Sequence, residues 1–133
     1  MQDKRKYVRV NVNTTVVYVV IKDGGPAFTA LSRNISCGGL HLCFQRHVEL
    51  HTKIGMEIYL PHEDDPVMAS GEVAWQEAET PQNKGNLNTG VRFTEIDSSS
   101  KMRIARYVLD GLRRNRAPQK ISLREKFKLF FSV

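Results

Sequence analysis

What most constrains this chain is a succession of short β-branched and aromatic runs, each ended by a turn signal, with no helical periodicity between them. Residues 14–21 read as a strand with both faces partly covered, and Lys22-Asp23-Gly24-Gly25-Pro26 turns the chain. Residues 28–32 give a second strand, and Cys37-Gly38-Gly39 a second turn. Residues 40–44 alternate apolar and polar, as a half-buried strand does. Residues 45–53 are open to a loop or a short helix. Residues 54–60 place Met56, Ile58 and Leu60 on one strand face. After an acidic turn over 61–66, residues 67–76 form a longer strand, with Gly71 marking a bulge or bend. A polar loop over 77–88 and a strand over 89–94 complete the series. Six strands in direct succession predict an all-β, antiparallel barrel.

The texture changes after residue 97. Asp97 and Ser98 to Ser100 offer N-caps, and a helix is expected over 102–114 with Ile104, Val108 and Leu112 on one face. Ala117-Pro118 breaks it. Residues 121–131 read as a second helix, which either closes the barrel mouth or meets a membrane surface or partner groove as a basic amphipathic segment. The expected organisation is an N-terminal arm over 1–13, a barrel over 14–97 and a helical region over 98–133.

The net charge of +6 is unevenly spread. Residues 1–9 carry four basic residues against one acid, and residues 98–133 carry ten against two. The middle, 10–97, has six basic residues against eleven acids. An acidic body with basic ends predicts an anionic partner near the termini, or simply a solvated helix face at the C-terminal end. The two cysteines form no disulfide framework, the N-terminus lacks a signal-peptide apolar run, and no stretch reaches the roughly 18 apolar residues of a membrane span. A cytoplasmic location is expected.

Two short motifs carry the chemistry. Arg5-Lys6-Tyr7-Val8-Arg9 is an R-x-x-x-R, and Asn34-Ile35-Ser36-Cys37-Gly38-Gly39 is an N-x-S-x-x-G. Arginine presents a planar fork that bonds phosphate oxygens or the guanine O6/N7 edge, and a flat face that stacks on a base. Asn34 and Ser36 are short polar side chains of the kind that both set turns and bond ligand edges, and Gly39 permits close approach. Trp75 suits the core or a stacking contact with a base or ribose. Cys43, His47 and His51 recur at four-residue spacing, but a fourth ligand is missing and no metal site is expected. No nucleophile, phosphate-loop or metal-carboxylate motif is present, so neither catalysis nor a cofactor is expected.

In order and spacing, these two motifs, with Gly71-Glu72-Val73-Ala74-Trp75 and Gly90-Val91-Arg92-Phe93 behind them, resemble the PilZ domain family over about residues 4–114. The resemblance implies a six-stranded antiparallel barrel with one or two C-terminal helices that binds cyclic di-GMP. It implies ligand contacts from Arg5, Arg9, Asn34, Ser36 and Gly39, with Lys4 and Trp75 as further contacts. It also implies a receptor rather than an enzyme, with bacterial motility, biofilm or exopolysaccharide control as the process. No effector domain accompanies the barrel, so the output is expected to run through a protein partner. One alternative is a PilZ-like interaction module that binds no nucleotide. Another is a small nucleic-acid-binding barrel, against which the acid-rich strands argue.

Overall fold

The structure, a computed structural model, describes residues 10–114. Lys4, Arg5, Arg9 and the second expected helix over 121–131 lie outside these residues. Six strands follow one another: β1 (Val10–Val20), β2 (Phe28–Ile35), β3 (Gly39–Phe44), β4 (Lys53–Tyr59), β5 (Val67–Gln76) and β6 (Leu87–Glu95). A single 3-10 turn, Ile21–Asp23, follows β1 and ends at Gly24, whose φ of 55° is the left-handed conformation glycine adopts without strain. The strands close into an antiparallel barrel in the order β1-β2-β3-β6-β5-β4, with β4 returning to β1. This is the barrel the strand pattern predicts.

The alternation that identifies each strand is also what fills the interior. Leu40, Leu42 and Phe44 of β3, Ile54, Met56 and Ile58 of β4, and Val91 and Phe93 of β6 all point inward. Each such side chain contributes roughly 1.5–3 kcal/mol through burial. Tyr18 stacks between Phe28 and Phe44, with centroids 5.5 and 4.5 Å away. Thr14, lower on β1, meets the Tyr107 hydroxyl at 3.5 Å.

That hydroxyl belongs to helix α1 (Ser98–Arg114), which buries Ile104, Ala105, Tyr107 and Val108 against the barrel. The helix begins at Ser98, four residues before the expected start, because Asp97 caps it. The Asp97 carboxylate accepts the Ser100 N–H at 2.6 Å, and its carbonyl accepts the Lys101 N–H at 3.0 Å. Bonding to the Ser100 N–H holds the Asp97 carboxyl below its ordinary range.

Several strands outrun their expected bounds, and β2 continues past residue 32 to Ile35. β1 starts at Val10, inside the segment read as an arm, because Val10 and Asn11 pair with Ile35 and Asn34. β6 starts at Leu87, whose partner is Phe44. Residues 45–52, open to a loop or a short helix, form a loop. That loop is tied down by Gln76, which accepts the Val48 N–H and donates to the Arg46 carbonyl.

Candidate functional site

The N-x-S-x-x-G segment ends β2 and begins β3. Ser36 is only 2% exposed, and it organises the turn from inside. Its N–H donates to the Gly39 carbonyl at 2.9 Å, its hydroxyl donates to the same oxygen at 3.3 Å, and its Oγ accepts the Gly38 N–H at 3.2 Å. The Gly38 carbonyl accepts the Phe93 N–H at 2.9 Å, which anchors the turn to β6. Gly39 is demanded by packing: a Cβ there would collide with the Val91 carbonyl oxygen of β6. Cys37, between them, is buried, and burial pushes its thiol up to about 11, with Lys101 working the other way. A thiol so placed is inert rather than oxidisable.

Asn34, by contrast, belongs to the outer face. Two β-bulges decide this. The first lies between Ser32 and Asn34: Ser32, opposite Leu42, points inward, and the extra residue turns Asn34 to stand opposite outward-facing His41. The second lies between Val73 and Trp75: Val73 opposes Val91 inside the barrel, and after the extra residue Trp75 opposes Gly90. Simple alternation from Val73 would have sent Trp75 into the core; instead it is 42% exposed.

Since His41 and Gly90 are themselves register partners, a continuous row crosses four strands: Asn34 on β2, His41 on β3, Gly90 on β6 and Trp75 on β5. The Asn34 amide nitrogen donates to His41 Nδ1 at 3.2 Å. The imidazole meets the Trp75 indole edge-on, with ring centroids 5.0 Å apart. Gly90 makes that contact possible, because any Cβ there would strike the indole. The Asn34 Oδ1 is buried and has no hydrogen-bond partner among the described residues. Such an atom calls for a partner that completes it.

Next to the row, Arg92 pairs with Glu72, which His51 also approaches at 3.8 Å. The Arg92 hydrogen bond holds the Glu72 carboxyl below its ordinary range. His41 lies outside the motifs, and Gly90, Glu72 and Arg92 enter the sequence reading only as parts of two strand patterns, without a site role. The signal for His41 was present in the alternation of residues 40–44, which already faces it outward.

The R-x-x-x-R motif lies outside the described residues, and its attachment to the barrel lies within them. Val10 pairs with Ile35 and Asn11 with Asn34, so the chain that carries Arg9 joins the barrel beside the N-x-S-x-x-G turn. No group of His, Cys, Asp or Glu among the described residues could hold a metal ion. No helix among them is long and apolar enough to cross a membrane.

The described strands close into a barrel that presents a polar and aromatic row on its outer wall. The PilZ domain profile matches residues 3–110, and the chain belongs to that family, whose domains are receptors rather than enzymes. No curated protein matches it by sequence. Among solved structures it is similar to the Bacillus subtilis inhibitor of motility MotI/DgrA, at 18% identity and TM-score 0.71 over 87% of this chain and 55% of that one. It is similar to the PilZ domain of Escherichia coli YcgR with c-di-GMP, at 11% identity and TM-score 0.64 over 86% and 95%. It is also similar to the K. pneumonia MrkH–c-di-GMP complex, at 14% identity and TM-score 0.65 over 85% and 54%. The chain thus spans about half the length of MotI and MrkH, and at these identities the likeness is one of fold.

Proposed function

We propose that this chain is a cyclic di-GMP receptor that uses its R-x-x-x-R and N-x-S-x-x-G motifs together. The observation that carries the reading is the pairing of Val10 with Ile35 and Asn11 with Asn34, which attaches the chain that follows Arg9 beside the N-x-S-x-x-G turn. Asn34 offers an amide to a guanine edge, and the exposed Trp75 offers a stacking face beside it. Arg5 and Arg9 supply forks for the phosphates and guanines, with Lys4 adding charge. Ser36 and Gly39 act through the turn, whose shape they set from its buried side. YcgR and MrkH, two structures of like fold, were solved with this dinucleotide.

Clamping by the arginines orders residues 1–9 against the turn, and that change of surface is what a protein partner reads. MotI, named as an inhibitor of motility, makes motility the first process to examine.

Isothermal titration calorimetry of the chain with cyclic di-GMP tests the reading. Wild type should bind at micromolar affinity or tighter, and both Arg9→Ala and Asn34→Ala should lose most of the heat. Absence of binding by wild type would leave an interaction module without a nucleotide. Binding that survives both substitutions would move the site elsewhere on the barrel.

A further inference from the structure

The other half of the barrel wall carries a feature that nucleotide binding does not use. An open groove of about 430 Å³ runs over the outer faces of β1, β4 and β5 and reaches the start of α1. Its floor is apolar, formed by Val17, Val19 and Met68, the last 57% exposed. Its rim carries Glu57, Glu95 and Asp97, and no basic residue among the described ones lines it. An apolar strip edged by carboxylates on one side chain after another fits a segment whose own apolar side chains alternate with lysines and arginines.

This chain contains such a segment. Residues 115–133 hold Arg116, Lys120, Arg124, Lys126 and Lys128 against the single acid Glu125, interleaved with Ile121, Leu123, Phe127, Leu129, Phe130 and Phe131. The connection is also short enough. Asp97 both lines the groove and caps the first turn of α1, and the segment starts where α1 ends. The helix, at 17 residues, is ~25 Å long at about 1.5 Å per residue. Roughly eight residues of extended chain, at about 3.3 Å each, span that length, which leaves residues from about 123 onward to occupy the groove.

We infer that the basic, aromatic C-terminal segment of this chain docks on its own barrel in the β1–β4–β5 groove. Its phenylalanines and leucines cover Val17, Val19 and Met68, and its lysines face Glu57, Glu95 and Asp97. The inference does not depend on nucleotide binding.

Zero-length carbodiimide cross-linking of the full chain at low concentration, read by peptide mass spectrometry, tests it. The expected links join Lys126 or Lys128 to Glu57, Glu95 or Asp97 in a product of monomer mass. Met68→Arg places a like charge on the floor and should lower their yield roughly tenfold. Should Met68→Arg prove unstable by thermal melt, Glu95→Lys, at an exposed position, replaces it with the same expectation for the remaining acids. Links to acids outside the groove at equal yield overturn the inference. So does a yield that neither substitution lowers, or a product found only at dimer mass and rising with concentration, since the occupant would then be a second copy.

Discussion

The two halves of the barrel wall are built from the same kind of strand and differ in how closely their backbones approach. On the β3–β6–β5 side, glycines stand where no side chain fits: Gly39 against the Val91 carbonyl and Gly90 beneath the Trp75 indole. On the β1–β4 side, a Cβ added to Gly55 would come nearest the Val19 methyl, at 3.3 Å, with Ile21 in ordinary contact at 3.8 Å. The first half is a fitted surface whose polar row depends on backbone geometry. The second is an open groove whose character comes from side chains alone. What this teaches is that tolerance to substitution should follow the wall, not the distance from the core.

The sharpest way to break that contrast is Gly39→Ala. The new methyl has backbone rather than a movable side chain in its way, so the β3–β6 pairing must yield. A loss of about 2–4 kcal/mol is expected in urea denaturation, and a loss under 1 kcal/mol would show that the wall adapts. Gly90→Ala comes next and should separate site from fold. It displaces the Trp75 indole from His41, shifts the tryptophan emission and weakens cyclic di-GMP binding by roughly tenfold if the indole stacks on a base. Thermal stability should change far less than in Gly39→Ala.

On the groove side, the Asp97 cap gives a pH-dependent effect. Its carboxyl is held low by the Ser100 N–H, so the cap's contribution is fully present above the unfolded-state value near ~3.9 and fades as pH falls through the lower folded value. Asp97→Ala should therefore melt earlier than wild type at neutral pH, and the two melting curves should converge in acid. Equal melting at neutral pH would mean that the cap is dispensable. The smallest effect is expected for Gly55→Ala, within about 0.5 kcal/mol of wild type, since one valine methyl needs to shift only slightly.

Much of this architecture is written in alternation, and that part is legible from sequence. The inward positions of β3 and β4 follow from residues 40–44 and 54–60 without knowledge of the partners. The start of β1 was equally visible in Val10-Asn11-Val12-Asn13, yet the neighbouring charges drew the boundary to residue 14. Gly71 marks one irregularity, and the β5–β6 register shifts between Ser70 and Gly71, but the bulges at Ser32–Asn34 and Val73–Trp75 are not legible, because a bulge is a relation between two strands and one strand's pattern does not contain it. They decide the outcome for Asn34 and Trp75, the two side chains that frame the row. Motif spacing found Asn34 and Ser36 but could not say that one faces out while the other is sealed in. Tertiary register alone separates them. The positions of Lys4, Arg5 and Arg9 lie outside the described residues, and their roles rest on the proposed function.

Closure of the barrel has one more consequence. From Thr15 to Tyr18, β1 is paired on both sides, to β2 and to β4, whereas Val10, Asn11 and Thr14 pair with β2 alone and Val19 and Val20 with β4 alone. A sheet without a long free margin gives another polypeptide no place to extend it by strand addition, the route by which many β proteins acquire promiscuous companions or grow into fibres. Any companion of this domain must therefore choose it by its side chains. Among the short stretches paired on one side alone, Val10 and Asn11 lie next to Asn34, so there a backbone open to uninvited pairing is also a place that a bound nucleotide would guard.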